Sequence, residues 1–169
     1  MNKDDAQNSL LYFTYQAIGL IRSPFKDLEG MPIQPTSKAS AAGRVEIFPE
    51  YMEGLKDLEG FSHIILLYHM HAAREQALTV SPFLDSSPRG IFATRAPIRP
   101  NPIGLSIVKL IRVDGGVLDV DDLDVLDGTP LLDLKPYVPD FDYRPEARIG
   151  WLEKAKGEVR GKTSDDRFR

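Results

Sequence analysis

Hydrophobic and polar positions alternate along much of this chain, in short runs punctuated by proline and glycine. Residues 12–22 are rich in aromatic and β-branched side chains and predict a first strand, closed by Ser23 and Pro24. Residues 25–42 mix Gly30, Pro32 and Pro35 with polar side chains and predict a long loop. A loop of that length within a compact domain is usually functional or disordered. Residues 43–48 predict a short strand with Val45 and Ile47 on one face, and residues 49–57 one or two helical turns opened by Pro49. Residues 61–71 are almost continuously apolar, as expected of a central strand, and 72–89 read as a loop with a short helical piece. Strands follow at 91–93 and 105–113. Residues 117–126 form another, whose alternation breaks at Asp121 and Asp122, as a β-bulge would break it. In the strand predicted over 131–138, Asp133, Lys135 and Tyr137 share one face and Leu132 and Leu134 the other. A short helix around Trp151 covers 146–156.

Short strands joined by turn-rich loops, with few helices, predict a mainly β fold, a barrel or a sandwich. A chain of 169 residues suits one domain with a real core. The domain is expected over 12–156, between a disordered tail at 1–11 and a flexible one at 157–169. No cysteine is present, which removes disulfides and thiolate chemistry. No apolar run is long enough for a membrane span and the polar start lacks a signal-peptide core, so a cytoplasmic location is expected. The net charge of −4 is unhelpful to a nucleic-acid binder, although a local basic patch with Arg22, Lys26, Lys38 and Arg44 would offset it.

The densest chemistry is in GIFATRAPIRPNPIGLS, residues 90–106. Pro97, Pro100 and Pro102 stiffen an arch between strands that carries Arg95, Arg99 and Asn101. Binding groups concentrate on loops held by a scaffold, although a proline-rich crossover with solvated arginines is the plainer alternative. A second tight turn, Asp127-Gly128-Thr129-Pro130, joins the last two strands, and a simple hairpin loop explains it equally well. His63, His69 and His71 share one face of the apolar strand. Without cysteine ligands or a placed carboxylate they read as core or interface histidines, so no metal is expected. The acidic run Asp119, Asp121, Asp122 and Asp124 lacks the EF-hand glycine and terminal glutamate and reads as a solvated strand edge. Glycine-rich G-x-G-x-x-G and phosphate-loop motifs are absent, which argues against a Rossmann site.

The arch resembles the signature of the TsaA/TrmO-like family, tRNA methyltransferases that use S-adenosylmethionine on a β-barrel. Four further blocks, in the family's order, carry the same resemblance: IGLIRSPFKD at 18–27, IQP at 33–35, LEGFSHIILLYHMH at 58–71 and LDVLDGTPLLDLKPYVP at 123–139. The resemblance implies a single-domain TsaA-like barrel with short helices. It implies S-adenosyl-L-methionine as cofactor, bound by Gln34, Pro35, Met70, His71, Arg95, Leu105, Asp127, Gly128, Thr129 and Pro130. Met70 and His71 differ from the side chains of many bacterial relatives. The acceptor it implies is N6 of threonylcarbamoyladenosine in the tRNA anticodon loop. Asp127 is then a candidate for the base that takes the proton or orients the nitrogen, and Lys135 and Tyr137 for holding the substrate. Arg99 and Asn101 are candidate substrate contacts. The family's sites near a two-fold axis imply a homodimer. Alternatives are a paralogue that binds the same donor with another acceptor, or a non-catalytic sensor.

Overall fold

The computed structural model describes residues 12–27, 41–82 and 87–155. Six strands close into a barrel in the order β1-β2-β7-β6-β3-β8, every pairing antiparallel. They are β1 (Gly19–Arg22), β2 (Ala41–Ile47), β3 (His63–His69), β6 (Ile103–Asp114), β7 (Val117–Leu123) and β8 (Thr129–Pro136). A small ribbon of β4 (Thr79–Val80) and β5 (Arg89–Gly90) stands apart. The mainly β barrel expected from the sequence is the fold observed, and it is not a Rossmann fold.

Period-two alternation builds the core. Along β6, Gly104, Ser106, Val108 and Leu110 point into the barrel while Ile103, Leu105, Ile107 and Lys109 point out. Ile64, Leu66 and Tyr68 do the same on β3. With Ile21, Val45, Leu118, Val120, Leu123 and Leu131 they fill the interior. Each buried aliphatic side chain contributes roughly 1.5–3 kcal/mol relative to exposure. Gly104 is required where it stands: a Cβ there would run into the ring of Tyr68, its partner across the ladder.

Several boundaries differ from the sequence reading. The first strand begins only at Gly19, because Tyr12, Phe13 and Tyr15 have no partner strand and are exposed. Residues 91–93 form a 3-10 turn, not a strand, with Ile91 buried and Phe92 exposed. His71 lies in the turn after β3, so only His63 and His69 share a strand face, the outer one. The segment expected to be helical around Trp151 is a 3-10 stretch, Gly150–Ala155. The bulge expected at Asp121 and Asp122 is present. Ala41 pairs with Leu123 and Gly43 with Val120, so two residues of β7 oppose one of β2, and Asp122 takes a left-handed φ of 63°. A second shift at Leu132 lets both Leu131 and Leu134 face the core.

The crossover between β3 and β6, which includes the arch, packs around a satellite cluster of its own, Val80, Ile91 and Ala96 with Ala77 and Ile98 against it. Trp151 caps it: the indole N–H donates to the Ala93 carbonyl at 2.8 Å, and the Arg89 guanidinium lies over the ring. The tails and residues 28–40, with Gln34, Pro35 and Lys38, lie outside the described residues.

Candidate active site

Antiparallel neighbours alternate in direction, so the barrel has two chemically distinct ends. The C-terminal ends of β1, β3 and β7 and the N-terminal ends of β2, β6 and β8 lie at one of them. The loop after β1, the arch between β3 and β6, and the turn between β7 and β8 therefore share one mouth. These are the segments that carry most of the candidate residues.

Hydrogen bonds stitch the loops together. Met70 N–H donates to Pro102 O at 2.7 Å, Asp127 N–H to Phe25 O at 2.8 Å and Gly128 N–H to Ile21 O at 2.8 Å. Gly128 is in the left-handed region, φ 75°, where glycine costs least. The buried Thr129 hydroxyl donates to Leu126 O at 2.7 Å and lies 3.3 Å from His71 Nδ1. Met70, His71, Asp127, Gly128 and Thr129 are thus one frame, fixed before any ligand arrives. Pro130 pairs with Leu20 at its edge.

The Asp127 carboxylate faces inward to this frame. It accepts from Ser23 N–H at 3.0 Å and from Lys26 Nζ at 2.6 Å. These two partners hold its carboxyl below the usual carboxylate range, Lys26 having the larger effect. It is a firmly ionised clamp on the loop.

The two arginines of the arch have different surroundings. Arg99 is partly buried and donates to Ile91 O and Thr94 O, both at 3.2 Å, which braces the arch from within. Arg95 is exposed and makes no hydrogen bond or ion pair among the described residues. Asn101 is exposed, and its carbonyl accepts from Ile103 N–H. Leu105 projects from the outer barrel wall, 43% exposed, so its side chain points away from the interior.

Lys135 and Tyr137 are elsewhere. β8 starts at the mouth with Thr129, and Lys135 lies six residues along it, about 20 Å at ~3.3 Å per residue. Lys135 pairs with Asp133 at 2.7 Å and Tyr137 meets His63 edge-on, both on the outer wall at the far end. Within one chain the structure does not bring them to Asp127.

One cluster at the mouth has no counterpart in the sequence reading. Asp124, expected on a solvated edge, lies just past the end of β7 between the buried Leu123 and Val125, yet its carboxylate is bonded to the inward-facing Ser106. The Ser106 hydroxyl donates to Asp124 Oδ1 at 2.6 Å, and Tyr68 OH lies 3.0 Å from the same serine. Serine has a single hydroxyl hydrogen, so Tyr68 donates to Ser106, which donates to Asp124. Burial pushes the Asp124 carboxyl up to about 6, against the opposing pull of Ser106, its own N–H and Arg95. Burial and the Asp124 charge also push the Tyr68 hydroxyl up, so it stays protonated. Alternation gives no sign of this: with Leu123 and Val125 buried, position 124 is the one that would face out.

Two cations of the candidate basic patch are already paired. Arg22 meets Glu46 at 2.9 Å and Arg44 meets Asp119 at 3.0 Å. No group of three or more His, Asp or Glu among the described residues converges as a metal site.

Comparison with known proteins gives this frame its context. Residues 20–143 match the model of the tRNA-methyltransferase O N-terminal domain. The chain belongs to the TrmO family. A probable S-adenosyl-L-methionine-binding protein of Pyrococcus abyssi is 52% identical over 158 residues, which are 94% of this chain and 86% of that protein. The tRNA (adenine(37)-N6)-methyltransferase of Escherichia coli is 37% identical over 85% of this chain and 65% of its own length. The crystal structure of TrmO from Pseudomonas aeruginosa superposes with a TM-score of 0.70 at 40% identity, over 83% of this chain and 63% of that one. This chain therefore spans just under two thirds of the named methyltransferases, the share that contains the barrel.

Proposed function

We propose that the protein transfers the methyl group of S-adenosylmethionine to N6 of threonylcarbamoyladenosine at position 37 of tRNA, the adenine position named for its Escherichia coli relative. The observation that carries this reading is the convergence of three loops at one mouth of a TrmO-type barrel, where Arg95 has no hydrogen bond or ion pair among the described residues.

The residues present fit the donor. Its amino-acid end carries a carboxylate, and Arg95 is an exposed guanidinium with no hydrogen bond or ion pair among the described residues. His71, Thr129 and the backbone of Met70 belong to the same frame, and the family resemblance adds Leu105, Gln34 and Pro35 as donor contacts. Asp127 clamps that loop to the β7–β8 turn through Ser23 and Lys26. The bound donor supplies an electrophilic methyl group. The chain's own task is to hold an acceptor nitrogen within ~3–3.5 Å of it and in line, and to exclude water. A base displayed in an anticodon loop is reachable without opening a duplex.

A homodimer completes the arrangement. Ile103, Leu105 and Ile107 form an exposed apolar row on the outer wall, beside the partly buried Ile65 and Leu67 of β3. Lys135 and Tyr137 flank this wall, and they reach a mouth only if it belongs to a second copy. Arg99 and Asn101 shape the rim of the arch that meets the RNA. A tRNA substrate implies the cytoplasm; among the described residues no helix is long and apolar enough to cross a membrane.

Calorimetric titration with S-adenosylmethionine tests the site. Wild type should bind, and Arg95→Ala, folded by circular dichroism, should bind at least tenfold more weakly. A wild type that does not bind contradicts the reading. A donor that binds and is never consumed with any RNA would favour the sensor alternative.

A further inference from the structure

The transfer leaves a proton to be placed. The N6–CH3 bond forms as the CH3–S bond breaks and its electron pair stays on sulfur. The N6–H bond then gives up its hydrogen as a proton, because the product nitrogen is neutral. No oxidant, reductant or further reactant is needed, but an acceptor is.

Asp127 is poorly suited to that role, because Lys26 and the Ser23 N–H stabilise its ionised form and weaken it as a base. His71 is exposed in its turn and touches Thr129. We propose instead that Asp124, held at the floor of the mouth by Ser106 and Tyr68, accepts the proton that leaves N6. This rests on the methyltransferase reading above.

Three observations carry it. First, the carboxylate is bonded to the inward-facing Ser106 just beyond the end of β7, a strand whose own aspartates face outward or pair with arginines. Second, it ends a directed chain, Tyr68 O–H to Ser106 O–H to Asp124 Oδ1, with no basic partner bonded to it among the described residues. A structural carboxylate in such a place would ordinarily be paired. Third, the groups around it are of the right kind. β3 presents Tyr68, which stays protonated; β6 presents the neutral Ser106; the arch presents Arg95, whose charge acts on Asp124 without an ion pair. Thr129 of β8 is already engaged by Leu126 and His71. A carboxyl poised near 6 is ionised at neutral pH and takes a proton far more readily than an ordinary aspartate.

The test combines one titration, one binding assay and one rate profile. The Asp124 carboxyl carbon, followed by NMR in the free protein, should titrate near pH 6. With tRNA and S-adenosylmethionine, the wild-type rate should fall on the acid side with the same apparent pKa. Asp124→Asn should lower kcat about 10²–10⁴-fold while donor affinity by calorimetry stays within about threefold. Ser106→Ala removes a hydrogen bond that favours the ionised carboxyl, so the acid limb of its residual rate should move to higher pH, and an unmoved limb would contradict the proposal; this variant serves if Asp124→Asn does not fold. An active wild type with a flat profile through pH 5–8, or an active Asp124→Asn, overturns the proposal. So does a loss confined to donor affinity. A wild type that neither binds the donor nor methylates tRNA would instead remove the underlying methyltransferase reading.

Discussion

Tyr68 lies across Gly104, so closely that no side chain fits between the two strands there. The glycine of the arch's exit thus serves the tyrosine that anchors the Ser106–Asp124 chain. Gly104→Ala should displace the ring, destabilise the barrel by about 1–3 kcal/mol, as over-packing does, and disturb the mouth. Urea unfolding measures the first effect and donor titration the second. An alanine variant of wild-type stability would show that the ring moves at no cost.

Asp124 should weaken the fold at neutral pH. Its folded-state pKa of about 6 exceeds the ordinary 3.8, so the folded form binds more protons between those values and stability falls as pH rises through them. Two units correspond to about 3 kcal/mol at 1.36 kcal/mol each. Asp124→Asn, which keeps the shape without the charge, should therefore be more stable than wild type at pH 7.5 by up to that amount. The two should converge below pH 4. Denaturant unfolding at both pH values checks this.

Asp127 has the opposite sign. Its carboxyl is held low by Lys26 and the Ser23 N–H, so its contribution is present above the ordinary aspartate range and is lost as pH falls through the lowered value. Asp127→Ala should lower stability at pH 7 and lose its difference from wild type in strong acid. It should also weaken donor binding, because the β7–β8 turn loses its tie to the loop after β1.

The separation of about 20 Å along β8 between Thr129 and Lys135 leads to a complementation test of the proposed dimer. Arg95→Ala and Lys135→Ala should each be nearly inactive as purified homodimers. Mixed and re-equilibrated, they should recover up to about a quarter of wild-type activity, because half of a random population is mixed and each mixed dimer keeps one intact site. No recovery, with mixed dimers demonstrated by mass, would place Lys135 outside the site. Ile107→Asp on the exposed outer row should give monomers by sedimentation.

Much of the barrel was legible because alternation is a local signal. β6 and β7 read correctly from inward Val108, Leu110, Leu118 and Val120, and even the bulge at Asp121 and Asp122 showed as a phase break. Residues 12–18 and 91–93 misled, since aromatic and β-branched side chains favour strands only where a partner strand exists. Pairing partners are tertiary information. The mouth's residues were legible as motifs, but their division of labour was not. Arg95 and Arg99 are equivalent in sequence and become a free and a braced guanidinium only when the arch folds back on Ile91 and Thr94. Asp124 read as one more exposed acid, because the group that holds its carboxylate, Ser106, is on β6 and meets it only when the barrel closes.

The most direct test of the central claim is incubation of the purified protein with S-adenosylmethionine and bulk tRNA from cells lacking the modification, followed by nucleoside mass spectrometry. The expected result is conversion of N6-threonylcarbamoyladenosine to its N6-methyl derivative, dependent on the donor and abolished in Arg95→Ala. Unchanged nucleosides, with donor binding demonstrated in the same sample, would contradict it.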